Sequence, residues 1–202
     1  VTVTNGALDG GSVNLSTGLF SSSNSNTRTI TMGSGTWTLT GNAATIWNFP
    51  TITNLTFVRG NPIVCNYSGA TGTRTINYAN TGESSCPSMN ITAGTDTVNI
   101  TSTRLLNVDF TGFAGTLGTG VWLAWGNITF SSGMTTSATT NSISIVGTGA
   151  SYTLTMNGIT IDRPFTFGGT GSGSTTYTLA DHLTVGSTRT LTVTAGTLAA
   201  NN

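Results

Sequence analysis

The chain has 202 residues, with six Arg, no Lys, six acids and a formal net charge of zero, so long-range charge would draw neither nucleic acid nor an anionic membrane to it. Only 6% of its residues are charged, against about a quarter in an average soluble domain, and Thr, Ser and Asn, roughly 40% of the chain, must keep its surface wet. Hydrophobic residues make up 36% and fall in alternation, a pattern of packed strands rather than of disorder, and no apolar run approaches the ~20 residues that would insert in a membrane as a helix.

From the N-terminus, "VTVTNGALDG" has neither an initiating Met nor the basic start and apolar stretch of a leader, and the expectation is a processed product or a piece of a longer protein. At 27–41, "TRTITMGSGTWTLTG" predicts two strands joined by a corner at "GSG". In "TWTLT", Trp37 and Leu39 share one face and Thr36, Thr38 and Thr40 the other, the two-residue period of a strand with one buried side. "SISIV" at 142–146 and "SYTLTM" at 151–156 repeat that alternation. Helical periodicity is absent, and Gly or Asn interrupts each run before a helix would form.

The triplet "TRT" returns at 73–75 and 188–190, at intervals of 46 and 115 residues, both multiples of 23. Stepping by 23 from residue 27 reaches strand-like sequence at 50, 73, 96, 119, 142, 165 and 188, and a second track runs 36, 59, 82, 105, 128, 151 and 174, weakest at 82. Periods of this length mark solenoids, in which each coil covers its neighbour's edge. The fold class predicted is therefore all-β, a single parallel β-solenoid (β-helix) segment over 1–202 with coils of roughly 23 residues. The alternative is an antiparallel β-sandwich, whose strands also recur closely. On the solenoid reading the three "TRT" runs occupy one wall, and Ile76 stands beside Thr53 and Asn99 in parallel pairing.

Cys65 and Cys86, 21 residues apart, would then stack on adjacent coils. Neighbouring strands at about 4.8 Å fall within disulfide reach, so a bridge is a candidate feature. Among groups that carry chemistry, His182 adjoins Asp181, but neighbours on a strand point to opposite faces. Asp96 and Asp109 would approach one another on adjacent walls, the separation of roughly 5–10 Å that a glycosidase needs, without any motif that pairs them. The Gly runs lack the Gly-Lys-Ser/Thr of a phosphate loop, and there is no His/Cys set for zinc. No catalytic, cofactor-binding or metal-binding residue is assigned, no cofactor is expected, and the chain is not expected to be an enzyme. In "VWLAW", Trp122 lies on the face opposite Val121, Leu123 and Trp125, so one of Trp122 and Trp125 is exposed and this segment is the candidate receptor contact.

The segments "FSSSNSNTRTITMGSGTWTLTG", "NVDFTGFAGTLGTG", "GNITFSSGMTTSATTNSISIVGTG" and "LTVGSTRTLTVTAGTLAANN" resemble the repetitive Gly/Thr/Ser/Asn-rich tail-fibre-like proteins of aquatic bacteriophages. The resemblance covers most of the chain apart from 56–88, is compositional, and brings no catalytic residues. It implies a structural segment of a tail fibre or other virion appendage at the virion surface, extending host-receptor attachment. The partners it implies are other virion proteins, further copies of the chain in a homo-oligomeric fibre such as a trimer, and a host-surface glycan. Within the sequence, the C-terminal "LTVTAGTLAANN" echoes the N-terminal "VTVTNGALDGGS". Two alternatives stand beside this reading: a cell-surface adhesin or ice-binding solenoid, with Thr29, Thr31, Thr73, Thr75, Thr190 and Thr192 as a hydroxyl lattice, and a polysaccharide-degrading tailspike.

Overall fold

Along most of the strands, buried and partly exposed side chains alternate one by one: Arg28 and Ile30 point inward while Thr29 and Thr31 point out, and Ile143 and Ile145 flank an outward Ser144. Such short strands bury one face only if something covers it, and here each coil of chain covers the next. A computed structural model describes residues 1–42, 44–79 and 82–200, and all strand pairings in it are parallel.

The strands form three walls. Wall 1 is one nine-stranded sheet made of Leu15–Thr17, Trp37–Leu39, Ile63–Cys65, Met89–Ile91, Val108–Asp109, Ile128–Thr129, Ser151–Thr155, Thr176–Leu179 and Thr197–Ala200. Wall 2 takes Phe20–Ser21, Thr45–Phe49, Thr73–Tyr78, Thr97–Thr101, Thr116–Leu117 and Thr135–Thr136, followed by the separate pair Thr160–Ile161 and Thr184–Val185. Wall 3 holds Gly6–Asp9, Arg28–Thr31 and Leu55–Val58, then Thr103–Leu105, Trp122–Ala124, Ile143–Ile145, Phe165–Phe167 and Leu191–Val193. Counted from wall 3 through walls 1 and 2, the chain winds about eight times. In the fourth coil a 3-10 turn, Glu83–Ser85, replaces the wall 3 strand and divides that wall into two sheets.

The solenoid and its parallel pairing agree with the sequence reading, but the register is looser than a fixed 23. On wall 1 the residues from Leu15 to Ala200 line up through steps of 22, 26, 26, 19, 20, 26, 25 and 21, about 23 each on average. Corners absorb the differences. As a result the "TRT" runs do not share a wall: Arg28 is on wall 3, Arg74 on wall 2, and 188–190 lie in a turn before Leu191–Val193. Ile76 stands beside Trp47 and Ile100, not beside Thr53 and Asn99.

Rings and branched side chains fill the interior. Phe20, Trp47 and Phe49 are wholly buried and stack with centroids 4.6–5.8 Å apart, and Phe110 lies on Phe130 at 5.6 Å with planes 10° apart. Each such side chain contributes about 1.5–3 kcal/mol by leaving water. At the "GSG" corner Gly33 has a positive φ of +70°, and a Cβ there would run into the Gly11 carbonyl of the coil below, so only glycine lets the coils stack so closely. Asn side chains stitch other corners: Asn107 Oδ1 accepts from the Asn127 N–H and Asn127 Oδ1 from the Thr153 N–H, each at 2.8 Å.

Candidate functional site

Three arginines carry most of the buried charge. Their positions in "TRTI" and "TRTINY" put Arg28 in phase with Ile30 and Arg74 in phase with Ile76, so the strand period sends them into the core. Arg28 donates to Ser22 Oγ (2.6 Å) and the carbonyls of Ser22, Asn26, Thr51 and Thr53, tying the ends of the first two coils together. Arg163 donates to the carbonyls of Gly120 and Asn141 (2.8 and 3.1 Å) across three coils, and burial brings its guanidinium down to about 10. Arg74 makes a bidentate pair with Asp96 at 2.8 Å for both bonds, between the rings of Tyr67 and Phe113. These guanidiniums are staples of the core.

The remaining acids are engaged in the same structural way. Asp181 accepts from the N–H groups of Met156 (2.7 Å) and Asn157 (2.5 Å). Asp109 caps its own turn at Thr111 N–H, Asp9 caps Gly11, and Asp162 pairs with Arg189 at 2.7 Å. Asp96, held by Arg74, is not brought to Asp109 as a catalytic pair. His182 is exposed and shares a shallow cleft with Asp181, Leu179, Leu183, Leu191 and Ala200. Among the described residues no three His, Cys, Asp or Glu side chains gather as a metal would need, and no helix is long and apolar enough to cross a membrane.

The cysteine bridge is not formed. Both thiols are buried, and neither is joined in a disulfide. Cys65 points into the core of wall 1 beside Leu39 and Ile91, whereas Cys86 closes the 3-10 turn, its thiol directed at the Gly82 carbonyl (3.1 Å). A step of 26 residues on this wall, where 21 separate the cysteines, puts them out of register. Burial pushes both thiols up to about 12.

The tryptophan segment divides as its alternation implies. Trp122 is the inward member, 1% exposed, which removes it as a receptor contact. Trp125 is half-buried on the outer side, close to the Cys86 thiol. Beside them a groove of about 340 Å³ runs over wall 3, bordered by Ala79, Ser102, Arg104, Val121, Leu123 and Ser144, with Val121 54% exposed. It mixes a cation, hydroxyls and apolar carbons, the chemistry that holds a sugar or a peptide. Glu83, in the fourth coil, accepts from the hydroxyls of Thr148 (3.2 Å) and Tyr152 (3.5 Å), which lie several coils further along the rod.

A second outward feature is visible only once the register is known. Thr73, Thr97, Thr116 and Thr135 stand directly above one another on wall 2, and the hydroxyls of Thr116 and Thr135 are 3.1 Å apart. Their spacings of 24, 19 and 19 residues hide the file from any constant-period search. Of the threonines expected to form a lattice, Thr29 and Thr31 are on wall 3, Thr73 and Thr75 on wall 2, Thr192 on wall 3 again and Thr190 in a turn, so those six form no common plane. No protein-family model, curated protein or solved structure matches the chain.

Proposed function

We propose that the chain is a structural segment of a bacteriophage tail fibre or similar virion appendage, a stiff shaft that holds a receptor-binding part away from the particle. The observation that carries this reading is wall 1, nine parallel strands without a break from Leu15 to Ala200. Eight steps at about 4.8 Å make a rod near 40 Å long. Backbone bonds run along its axis, and its surface is wetted by neutral hydroxyls and amides. The engagement of the acids in caps, turns and ion pairs, and of Glu83 with two hydroxyls, supports a structural role over the cleavage of a polymer. The groove over wall 3, with Arg104 and Val121, is the place such a segment would touch a host glycan.

Immunogold labelling with antibodies raised against the chain tests the reading on purified particles. Label on appendages is expected; label confined to the surface of cells would replace the shaft by an adhesin.

The Thr73–Thr97–Thr116–Thr135 file favours a second reading, an ice-binding face, because it repeats hydroxyls at the strand spacing on four consecutive coils. A thermal-hysteresis measurement decides it. Activity lost in Thr116→Lys would support this reading, and no activity in the wild type would remove it.

A further inference from the structure

We infer that a groove on wall 2, between the sixth and seventh coils, is a binding site for a neutral, extended polysaccharide chain lying along the rod. The inference goes beyond the shaft reading and does not rest on it, because the groove is formed within the run of coils and would bind in any setting.

The groove comes from the break in wall 2. Thr135–Thr136 is the last strand of one sheet, and Thr160–Ile161 begins the next pair. The gap opens to about 530 Å³, bordered by Ser132, Thr135, Thr136 and Thr160, with Ser187 and Thr188 beyond. Its rim is held before any ligand arrives. Asn157 Nδ2 donates to the Phe130 carbonyl of the coil below (2.7 Å), and Asp181 of the coil above accepts from the Asn157 N–H. Next to these anchors Gly158 turns with a φ of +78°, and a Cβ there has nothing within 4 Å, so the turn faces open space. A groove already shaped loses little order on binding.

Its chemistry selects the ligand by elimination. Among the described residues that line it, Asp162 is the one that carries charge, and it is paired with Arg189, so no net charge is offered to a phosphate or an acidic polymer. Met134 and Ile159 beneath the hydroxyls are 3% and 7% exposed, which leaves an apolar ligand little to cover. A peptide strand does not fit either. It would set the flanking strands about 9.6 Å apart, twice the usual spacing, whereas Thr136 Oγ1 already joins them by single hydrogen bonds. Sugar hydroxyls remain, because they donate and accept as Ser and Thr do. The Asp162 carboxylate, 40% exposed, accepts from them while Arg189 holds it in place.

The file of threonines gives the ligand its length. Thr73, Thr97, Thr116 and Thr135 rise one per coil to the groove. On its far side Thr160, outward between the buried Ile159 and Ile161, is in register with Thr184. Hydroxyls thus continue above and below the groove at the strand spacing of about 4.8 Å. An extended chain of pyranose rings repeats its own hydroxyls along such a line, whereas a single ring would use the groove alone.

The test is titration of the isotope-labelled chain with cellohexaose, maltohexaose and mannohexaose, followed by NMR of its backbone amides. At least one should shift the signals of Thr135, Gly158 and Thr160 to saturation, and the matching disaccharide should bind more weakly. Hexagalacturonate, the acidic counterpart, should bind no better than the neutral sugars. Thr160→Val removes one exposed hydroxyl and should raise the dissociation constant roughly two- to tenfold. Gly158→Asn puts a side chain that tolerates positive φ into the open space and should abolish the shifts, its own spectrum showing that it is folded. No shift with any neutral hexaose, shifts centred on Arg104 and Val121 of the wall 3 groove, tighter binding of the acidic sugar, or folded variants that bind unchanged would each overturn the inference. None of these outcomes bears on the label expected on particles, which tests the shaft.

Discussion

Arg74 and Asp96, on adjacent coils, form a two-bond ion pair with both side chains at 0% exposure. The pair replaces what would otherwise be two apolar residues at the meeting of walls 1 and 2. Its members compensate each other, and neither is tolerable alone in such a place. Arg74→Met should therefore lower unfolding stability by roughly 3–5 kcal/mol, leaving a buried carboxylate. The double variant Arg74→Met/Asp96→Leu should recover a large part of that loss. Urea denaturation of the four proteins in the cycle measures the difference, and a double variant as unstable as the single one would contradict this account.

The thiols give a prediction about pH. Both cysteines have folded-state values raised to about 12 by burial, against about 8.5 in an unfolded chain. A raised thiol value favours the protonated, folded form. Its contribution is complete below about pH 8.5 and is lost as pH rises toward 12. Stability should fall through this alkaline window, and less steeply in Cys65→Ala compared with wild type at each pH. In the native state at pH 8 neither thiol should react readily with a disulfide reagent, and both should react once denaturant is added.

For the tryptophans the two sides of one strand should answer differently. Trp122→Ala opens a cavity in the core and should cost about 3–5 kcal/mol. Trp125→Ala should cost clearly less, but by uncovering Cys86 it should speed modification of that thiol while leaving Cys65 slow. Mass spectrometry of timed alkylation separates the two sites.

Glycine geometry supplies a further comparison. Gly33 and Gly158 both have positive φ, +70° and +78°, but a Cβ at Gly33 meets the Gly11 carbonyl whereas one at Gly158 has nothing within 4 Å. Gly158→Ala should lower stability by about 1 kcal/mol, the conformational term alone. Gly33→Ala should lose distinctly more, because two coils must part, and thermal melts of the pair would show it.

How far these features can be read from the sequence depends on which distances matter. Strand direction and inward face are local: the alternation in "TWTLT" and "SISIV" places Trp37, Leu39, Ile143 and Ile145 correctly in the core. The inward course of Arg28 and Arg74 was written in the same alternation, since each shares the phase of an isoleucine, although their charge argued for the surface. Register is not local. A corner that gains several residues leaves its wall unchanged, so the average period survives while individual steps range widely, and the partner of Ile76 moves from Asn99 to Ile100. The cysteine bridge, the shared "TRT" wall and the six-threonine lattice all assumed a constant step and failed with it. The Thr73 file and the groove over wall 3 are each assembled from several coils, so no single segment contains either.

The replacement of backbone pairing by a hydroxyl on wall 2 has a mechanical consequence. Between Thr135–Thr136 and Thr160–Ile161 wall 2 is joined through Thr136 Oγ1, which donates to the Thr160 carbonyl and accepts from the Asp162 N–H, and through the Thr139 N–H, which donates to the Asp162 carbonyl. At that boundary wall 1 contributes only Ile128↔Leu154 and Thr129↔Thr155, and wall 3 three residues from Trp122 to Ala124. Under tension along the axis, coil boundaries are links in series, and the bonds within one boundary share the load in parallel. The boundary between the sixth and seventh coils is then a weak link, as is that between the fourth and fifth, where wall 3 is interrupted, and Arg163, bound to both Gly120 and Asn141, is a tether across the former.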